Sequence, residues 1–225
     1  RDSIASMTGL LRGVIGKYGD DIHEGDIFFA NDPHVAGGTH LPDVNMAMPV
    51  FKNGRLVCFV CNIAHHADIG GMAPGSMAGG MSEIYQEGLR IPVLKLVSQH
   101  KLQEELLEFA LLNVRVPKER RGDYFAQIAS CRLGERRIQE LLANVEPDML
   151  QAIFNDLLVR TRSRMLRHIE ALPDGVYAFS DRIDGDGLGN NDVPISVRIE
   201  KSGSDILFDF TGTSPQVRGN VNLTM

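Results

Sequence analysis

Asn53-Gly54 stands between two runs rich in strand-forming residues, Met46–Phe51 and Arg55–Ile63. An Asn-Gly pair suits a two-residue hairpin turn because both central residues must take positive φ. The pair therefore predicts an antiparallel hairpin, and a hairpin returns the chain to where it set out. Ahead of the first strand stands NDPHVAGGTHLPDV (31–44), and after the second stands NIAHHADIGG (62–71). His34, His40, Asp32 and Asp43 are thus brought back toward His65, His66 and Asp68. Four of the seven histidines fall between Asn31 and Asp68, in segments punctuated by Gly and Pro. Loops of this kind, held by strands, are where binding and catalytic groups concentrate. Imidazoles mixed with carboxylates are a natural ligand set for a divalent metal such as zinc, manganese or iron. The same residue types also cap turns and hydrogen-bond one another in polar loops. His65 and His66 point in opposite directions if the strand continues. One of them then reaches a metal, and the other orients a neighbour or a substrate.

The rest of the chain reads as α+β. A helix is expected over 1–19, with Ile4, Met7, Leu10, Leu11, Val14 and Ile15 at helical spacing. A short strand follows at Asp26–Phe29. A Gly/Met-rich loop (70–80) leads to a short helix near Ser82–Leu89 and the strand-like IPVLKL. Helical patterning then runs through Glu104–Val114, Lys118–Val145 and Asp148–Leu172, with Pro147 suited to a first helical turn. The last two helices, joined by a short connection, suggest an antiparallel pair. After Pro173-Asp174-Gly175 the apolar period changes to two. Val176–Ile183, Ile195–Glu200 and Asp205–Phe210 read as antiparallel strands, with Lys201–Ser204 as a turn. Three regions follow: a loop-rich α+β region at 1–98, a helical region at 99–172 and a β region at 173–225.

Composition narrows the function classes. The chain is 43% hydrophobic and 23% charged, with a formal net charge of −6. That balance argues against a nucleic-acid binder, which normally carries a basic face. The basic clusters at Lys118–Arg121 and Arg160–Arg167 are interleaved with apolar residues and read as solvated helix faces. No segment approaches the length of apolar sequence needed to cross a bilayer, and the first residues do not resemble a signal peptide. Three cysteines, Cys58, Cys61 and Cys131, suggest free thiols in a reducing compartment, with the cytoplasm as the expected location.

Several smaller motifs compete with plainer readings. Cys58 and Cys61 spell C-x-x-C but lie in an expected strand, where residues three apart face opposite sides, so core thiols are favoured over zinc or redox chemistry. Ser76 sits in Gly75-Ser76-Met77-Ala78-Gly79, which is not the nucleophile elbow G-x-S-x-G. A Gly-rich loop touching substrate, or a backbone anion cradle, suits it better. No Walker loop or other nucleotide signature is present. Asp184-Gly-Asp186-Gly resembles a calcium loop but lacks its later ligands, so a tight turn is expected. Arg90, in Glu87-Gly88-Leu89-Arg90, suits either an anion clamp or a helix C-terminus.

Four segments are long enough to carry a family resemblance: NDPHVAGGTHLPDV, HHADIGGMAPGSM, EGLRIPVLKL and FDFTGTSPQVRGNVN. Together they resemble the hydantoinase B/oxoprolinase family, in the family's order and over nearly the whole chain. That family includes B-type subunits of ATP-dependent N-methylhydantoinases, the corresponding half of 5-oxoprolinase, and subunits of acetone and acetophenone carboxylases. Its members are longer, so the resemblance implies a fragment that lacks parts at both ends and is inactive by itself.

The resemblance implies a division of labour. A hydantoinase A-type partner holds ATP and phosphorylates a lactam or ketone, and the B-type protein then acts on the activated compound. The expected activity is ATP-dependent opening of a cyclic amide such as a hydantoin or 5-oxoproline, within a hetero-oligomer. Ketone carboxylation is the second possibility. A non-catalytic scaffold with a structural His/Asp site is the third. The matching metal ligands are His40, Asp43 and His65, with His66, Ser76 and Arg90 as supporting or substrate-binding residues. Asp68 or Asp32 is the expected general base.

Overall fold

The computed structural model describes residues 3–222; Arg1, Asp2 and the side chain of Ile4, all in the first expected helix, lie outside the described part. The chain forms two compact units, one up to Asn144 and one from Val145 to Asn222. The boundary divides the helical region that the sequence sets apart at 99–172. Each unit is described by itself.

The first unit is built on a five-stranded antiparallel sheet of order β3-β2-β1-β4-β5. Its strands are β1 (Ile27–Ala30), β2 (Asp43–Lys52), β3 (Arg55–His65), β4 (Leu94–Ser98) and β5 (Lys101–Leu102). The β2–β3 turn is the expected one, with Asn53 at φ 52° and Gly54 at φ 76°. The strands run three residues beyond expectation at the start of β2 and two at the end of β3, so the hairpin reaches Asp43 and His65 themselves.

Side chains alternate across the sheet, and helices cover both faces. On one side α1 (Ser3–Tyr18) and the short α2 (Pro33–Ala36) pack Leu10, Val14 and Ala36 against Phe28, Ala30 and Ala47. On the other, α4 (Glu104–Leu112) and α5 (Pro117–Leu142) pack Leu107, Leu111, Tyr124, Ile128 and Cys131 against Ile27, Phe29, Met46 and Met48. Double coverage explains why β2 is buried at every position from Asp43 to Val50. α5 approaches β3 closely at Gly134, where an added Cβ would stand 2.5 Å from a Val60 methyl. Between β3 and β4 lies the short helix α3 (Ile84–Glu87).

The cysteines are free, as read from the sequence. Cys61 packs on the α1 side, while Cys131 is buried under α5. Burial pushes the Cys61 thiol up to about 11 and that of Cys131 to about 12, which leaves both as unreactive thiols.

The second unit comprises α6 (Pro147–Glu170) and a three-stranded antiparallel sheet, β6 (Gly175–Gly185), β7 (Asn191–Ser202) and β8 (Asp205–Asp209). Asp186 accepts hydrogen bonds from the backbone N–H groups of Leu188, Asn190 and Gly219, which makes the β6–β7 connection the tight turn expected from the sequence. Among the described residues, no helix is long and apolar enough to cross a membrane.

Candidate functional site

Asp43 and His65 are direct cross-strand partners at the open end of the β2–β3 hairpin. Asp43 shares its sheet face with Asn45 and Ala47, the face that α1 covers, and Asn45 accepts a hydrogen bond from Ser6 of α1. His40 arrives from the loop before β2. That loop is drawn in by hydrogen bonds from Asp43 N–H to the His40 carbonyl and from His66 N–H to the Pro42 carbonyl. It is fixed from outside by Glu87, the last residue of α3, whose carboxylate accepts from Leu41 N–H at 2.7 Å. Asn31 completes the frame. Its amide donates to the Leu41 and Leu89 carbonyls and accepts from Ile91 N–H.

The result is a compact cluster. His40 Nε2 and His65 Nδ1 each stand 3.1 Å from Asp43 Oδ1, and the two rings lie 4.9 Å apart, tilted by 40°. One ligand atom from each residue lies within 4.8 Å of the others. The Asp43 side chain is 12% exposed and that of His65 47%, so the cluster is anchored in the sheet and open at its rim. Two imidazole nitrogens and a carboxylate oxygen fit a divalent metal with a position left for a further ligand.

The other carboxylates expected to act here are engaged elsewhere. Asp68 is buried, and its two oxygens accept from Gly70 N–H, Gly75 N–H, Arg115 N–H and the Arg115 guanidinium. Burial raises its pKa, but the Arg115 and glycine hydrogen bonds outweigh that and hold the group below the usual carboxylate range. Four donors fill its lone pairs, so Asp68 organises the Gly-rich loop and is not placed as a general base. The residue after its partner shows what the clamp restrains: Val116 is β-branched yet stands at φ 55°. Asp32 is also buried. One oxygen caps α2 through His34 N–H at 2.9 Å, and the other pairs with Arg90 Nε at 2.6 Å. It too is a framework group.

Ser76 is fully buried. Its hydroxyl accepts from Ile69 N–H and donates to the Gly70 carbonyl, so it staples the Gly-rich loop from inside. His66 points away from His65, as the alternation requires. It is 1% exposed, rests against Tyr124 and bonds through Nε2 to Gln127 of α5 at 2.9 Å. Burial lowers its pKa, against the Gln127 hydrogen bond. Its place is under α5, on the face opposite the cluster, rather than beside a substrate. Arg90 lies over the Tyr85 ring and, with Asp32, lines a cleft of about 580 Å³ that also includes Val35 and Pro92.

Glu87 and Gln127 escaped the sequence reading. Burial pushes the Glu87 carboxyl up, against the Leu41 hydrogen bond and the charge of His40. Its sequence signal is the charged Glu87–Arg90 pair beside the loop, which does not announce a backbone partner. Gln127 has no signal in its own helix. Its amide donates to the Val44 carbonyl and to Asn62 Oδ1, tying α5 to the two strands that carry the cluster.

The sequence profile described as Hydantoinase B/oxoprolinase matches residues 3–225, and the chain belongs to that family. It is 34% identical over 212 residues to the B-type component of a putative D-/L-hydantoinase from Pseudomonas sp. (strain NS671), covering 92% of this chain and 36% of that protein. Against the acetophenone carboxylase delta subunit of Aromatoleum aromaticum the identity is 29% over 215 residues, covering 95% and 31%. The crystal structure of ATP-dependent caprolactamase from Pseudomonas jessenii superposes with a TM-score of 0.86 at 33% identity, covering 95% of this chain and 37% of that one. The chain thus spans about a third of the length of these relatives.

Proposed function

We propose that this chain carries the hydrolytic site of the B-type subunit of an ATP-dependent cyclic amidase, of the kind that opens hydantoins or 5-oxoproline. The observation that carries the reading is the convergence of His40, Asp43 and His65 on one accessible point. The names of the hydantoinase and caprolactamase relatives support it. ATP would be bound by an A-type partner in a hetero-oligomer, which agrees with the lack of a Walker-type motif in residues 1–225.

A zinc, manganese or iron ion held by His40, Asp43 and His65 would supply Lewis-acid stabilisation of charge on the substrate's oxygen. The protein's own part is positional. The β2–β3 register sets Asp43 opposite His65, and Glu87 holds the His40 loop through Leu41. Asp68 and Asp32 are engaged elsewhere, and Glu87 is the carboxylate set beside the cluster's loop, accepting from Leu41 N–H next to His40, with its pKa raised by burial. The carboxylase relative favours one second reading, in which the same framework serves ketone carboxylation.

The test uses the full-length subunit with its ATP-binding partner, assayed for ATP hydrolysis coupled to opening of hydantoin or 5-oxoproline. Asp43→Ala is expected to abolish coupled turnover while the complex still forms. Coupled turnover unchanged by Asp43→Ala would overturn the reading, and turnover with ketone and bicarbonate alone would favour the carboxylase.

A further inference from the structure

The sheet of the second unit has two unlike faces. The β6–β7 register opposes Tyr177 to Ile199, Phe179 to Val197, Asp181 to Ile195 and Ile183 to Val193. On β8, Phe208 joins the same face opposite Ile199, and Ile206 stands opposite Lys201. Apart from Asp181 and Lys201 this face is apolar. The reverse face is mixed: Ser180 opposite Ser196, Arg182 opposite Pro194, Ala178 opposite Arg198, and Glu200 between Val176 and Leu207. Its polar groups are satisfied locally, Ser180 with Ser196 and Arg198 with Glu200. That is the pattern of an antiparallel sheet meant to meet water on one side and a core on the other.

Much of the apolar side is open: Phe179 is 68% exposed, Phe208 52% and Tyr177 46%, with Val193 buried at its β6–β7 end. Surfaces of this kind on stable monomers are small, and a contiguous aromatic sheet face marks a contact. The relatives matched above are about three times as long as this chain.

We propose that this face is an internal interface, covered by the part of a family-length chain that lies outside the matched third. That segment would present its own apolar layer, a packed sheet or helix, to Phe179, Ile195, Val197, Ile199 and Phe208. This inference does not depend on the metal or on the reaction.

The experiment uses the full-length subunit without its partner. Phe179→Cys and Phe208→Cys report on the apolar face and Ser180→Cys on the polar face, with maleimide labelling of each peptide followed by mass spectrometry. Cysteines at 179 and 208 are expected to react roughly a hundredfold slower than at 180, as for a face that opens only by local unfolding. That protection should not change with protein concentration. Hydroxyl-radical footprinting of Tyr177, Phe179 and Phe208 in the unsubstituted subunit gives the same answer without altering the face, and low modification is expected. Equal labelling on both faces would overturn the proposal. So would protection that grows with concentration, which would assign the face to a second copy, or protection that needs the A-type partner.

Discussion

The two sheets of this chain are built from the same kind of strands and treated in opposite ways. In the first unit β2 is buried from Asp43 to Val50 because α1 covers one face and α5 the other. In the second, β7 alternates Val193, Ile195, Val197 and Ile199 with Pro194, Ser196, Arg198 and Glu200, and the apolar face they share with Phe179 and Phe208 is open at those two rings. The difference teaches where function sits. Groups that must be held within tenths of an ångström belong on the sheet whose strands are clamped from both sides, and His65 and Asp43 hang from the end of that sheet. The open sheet is half of a core.

Substitutions can break or sharpen this contrast. The largest effect is expected from Phe28→Ala, which empties a fully buried position between β1 and α1. It should cost about 3–5 kcal/mol in urea unfolding, whereas Phe179→Ala in the 225-residue chain should stay within about 0.5 kcal/mol. Equal losses would erase the contrast. Next comes Gln127→Leu, which leaves His66 Nε2, Asn62 Oδ1 and the Val44 carbonyl without their partner under α5. A loss of about 3 kcal/mol is expected in the same unfolding measurement. Ser76→Ala leaves Ile69 N–H without its partner, removes one of two donors to the Gly70 carbonyl, and should cost about 1–2 kcal/mol. A change near zero would mean that the loop does not need its staple.

The smallest effect is conditional on pH. The Asp68 pKa is lowered in the fold, so its stabilising contribution is complete above the unfolded value of about 3.9 and is lost as pH falls through the folded value below it. The stability gap between wild type and Asp68→Asn, followed by urea midpoints, should therefore be constant from pH 7 to about 5 and close below about pH 4. A gap that instead widened on acidification would contradict the assigned direction.

Much of the fold was legible because its signals are local. Asn53-Gly54 fixed the hairpin, and Leu10 and Val14 marked the face of α1 that the sheet buries. Pro147 marked the start of α6. The cluster was legible for the same reason, since a hairpin that returns Asp43 to His65 needs no long-range information. Partnership was not legible. Asp32, Asp68, Ser76 and Arg90 are residue types that serve catalysis and loop architecture equally, and only tertiary contacts tell the two apart. Asp68 meets Arg115 across 47 residues and Asp32 meets Arg90 across 58. Glu87 was hidden likewise, because its partner Leu41 donates a backbone N–H that no side-chain pattern announces. α2 was too short to show a period, at four residues.

The most direct test of the account is elemental analysis of the purified full-length subunit, wild type beside Asp43→Asn and His40→Ala, with circular dichroism to confirm folding. The expected result is about one zinc, manganese or iron ion per wild-type chain, absent from both folded variants. Metal retained at the same level in Asp43→Asn, or none taken up by folded wild type offered each ion in turn, would contradict the assignment of His40, Asp43 and His65 as a metal centre.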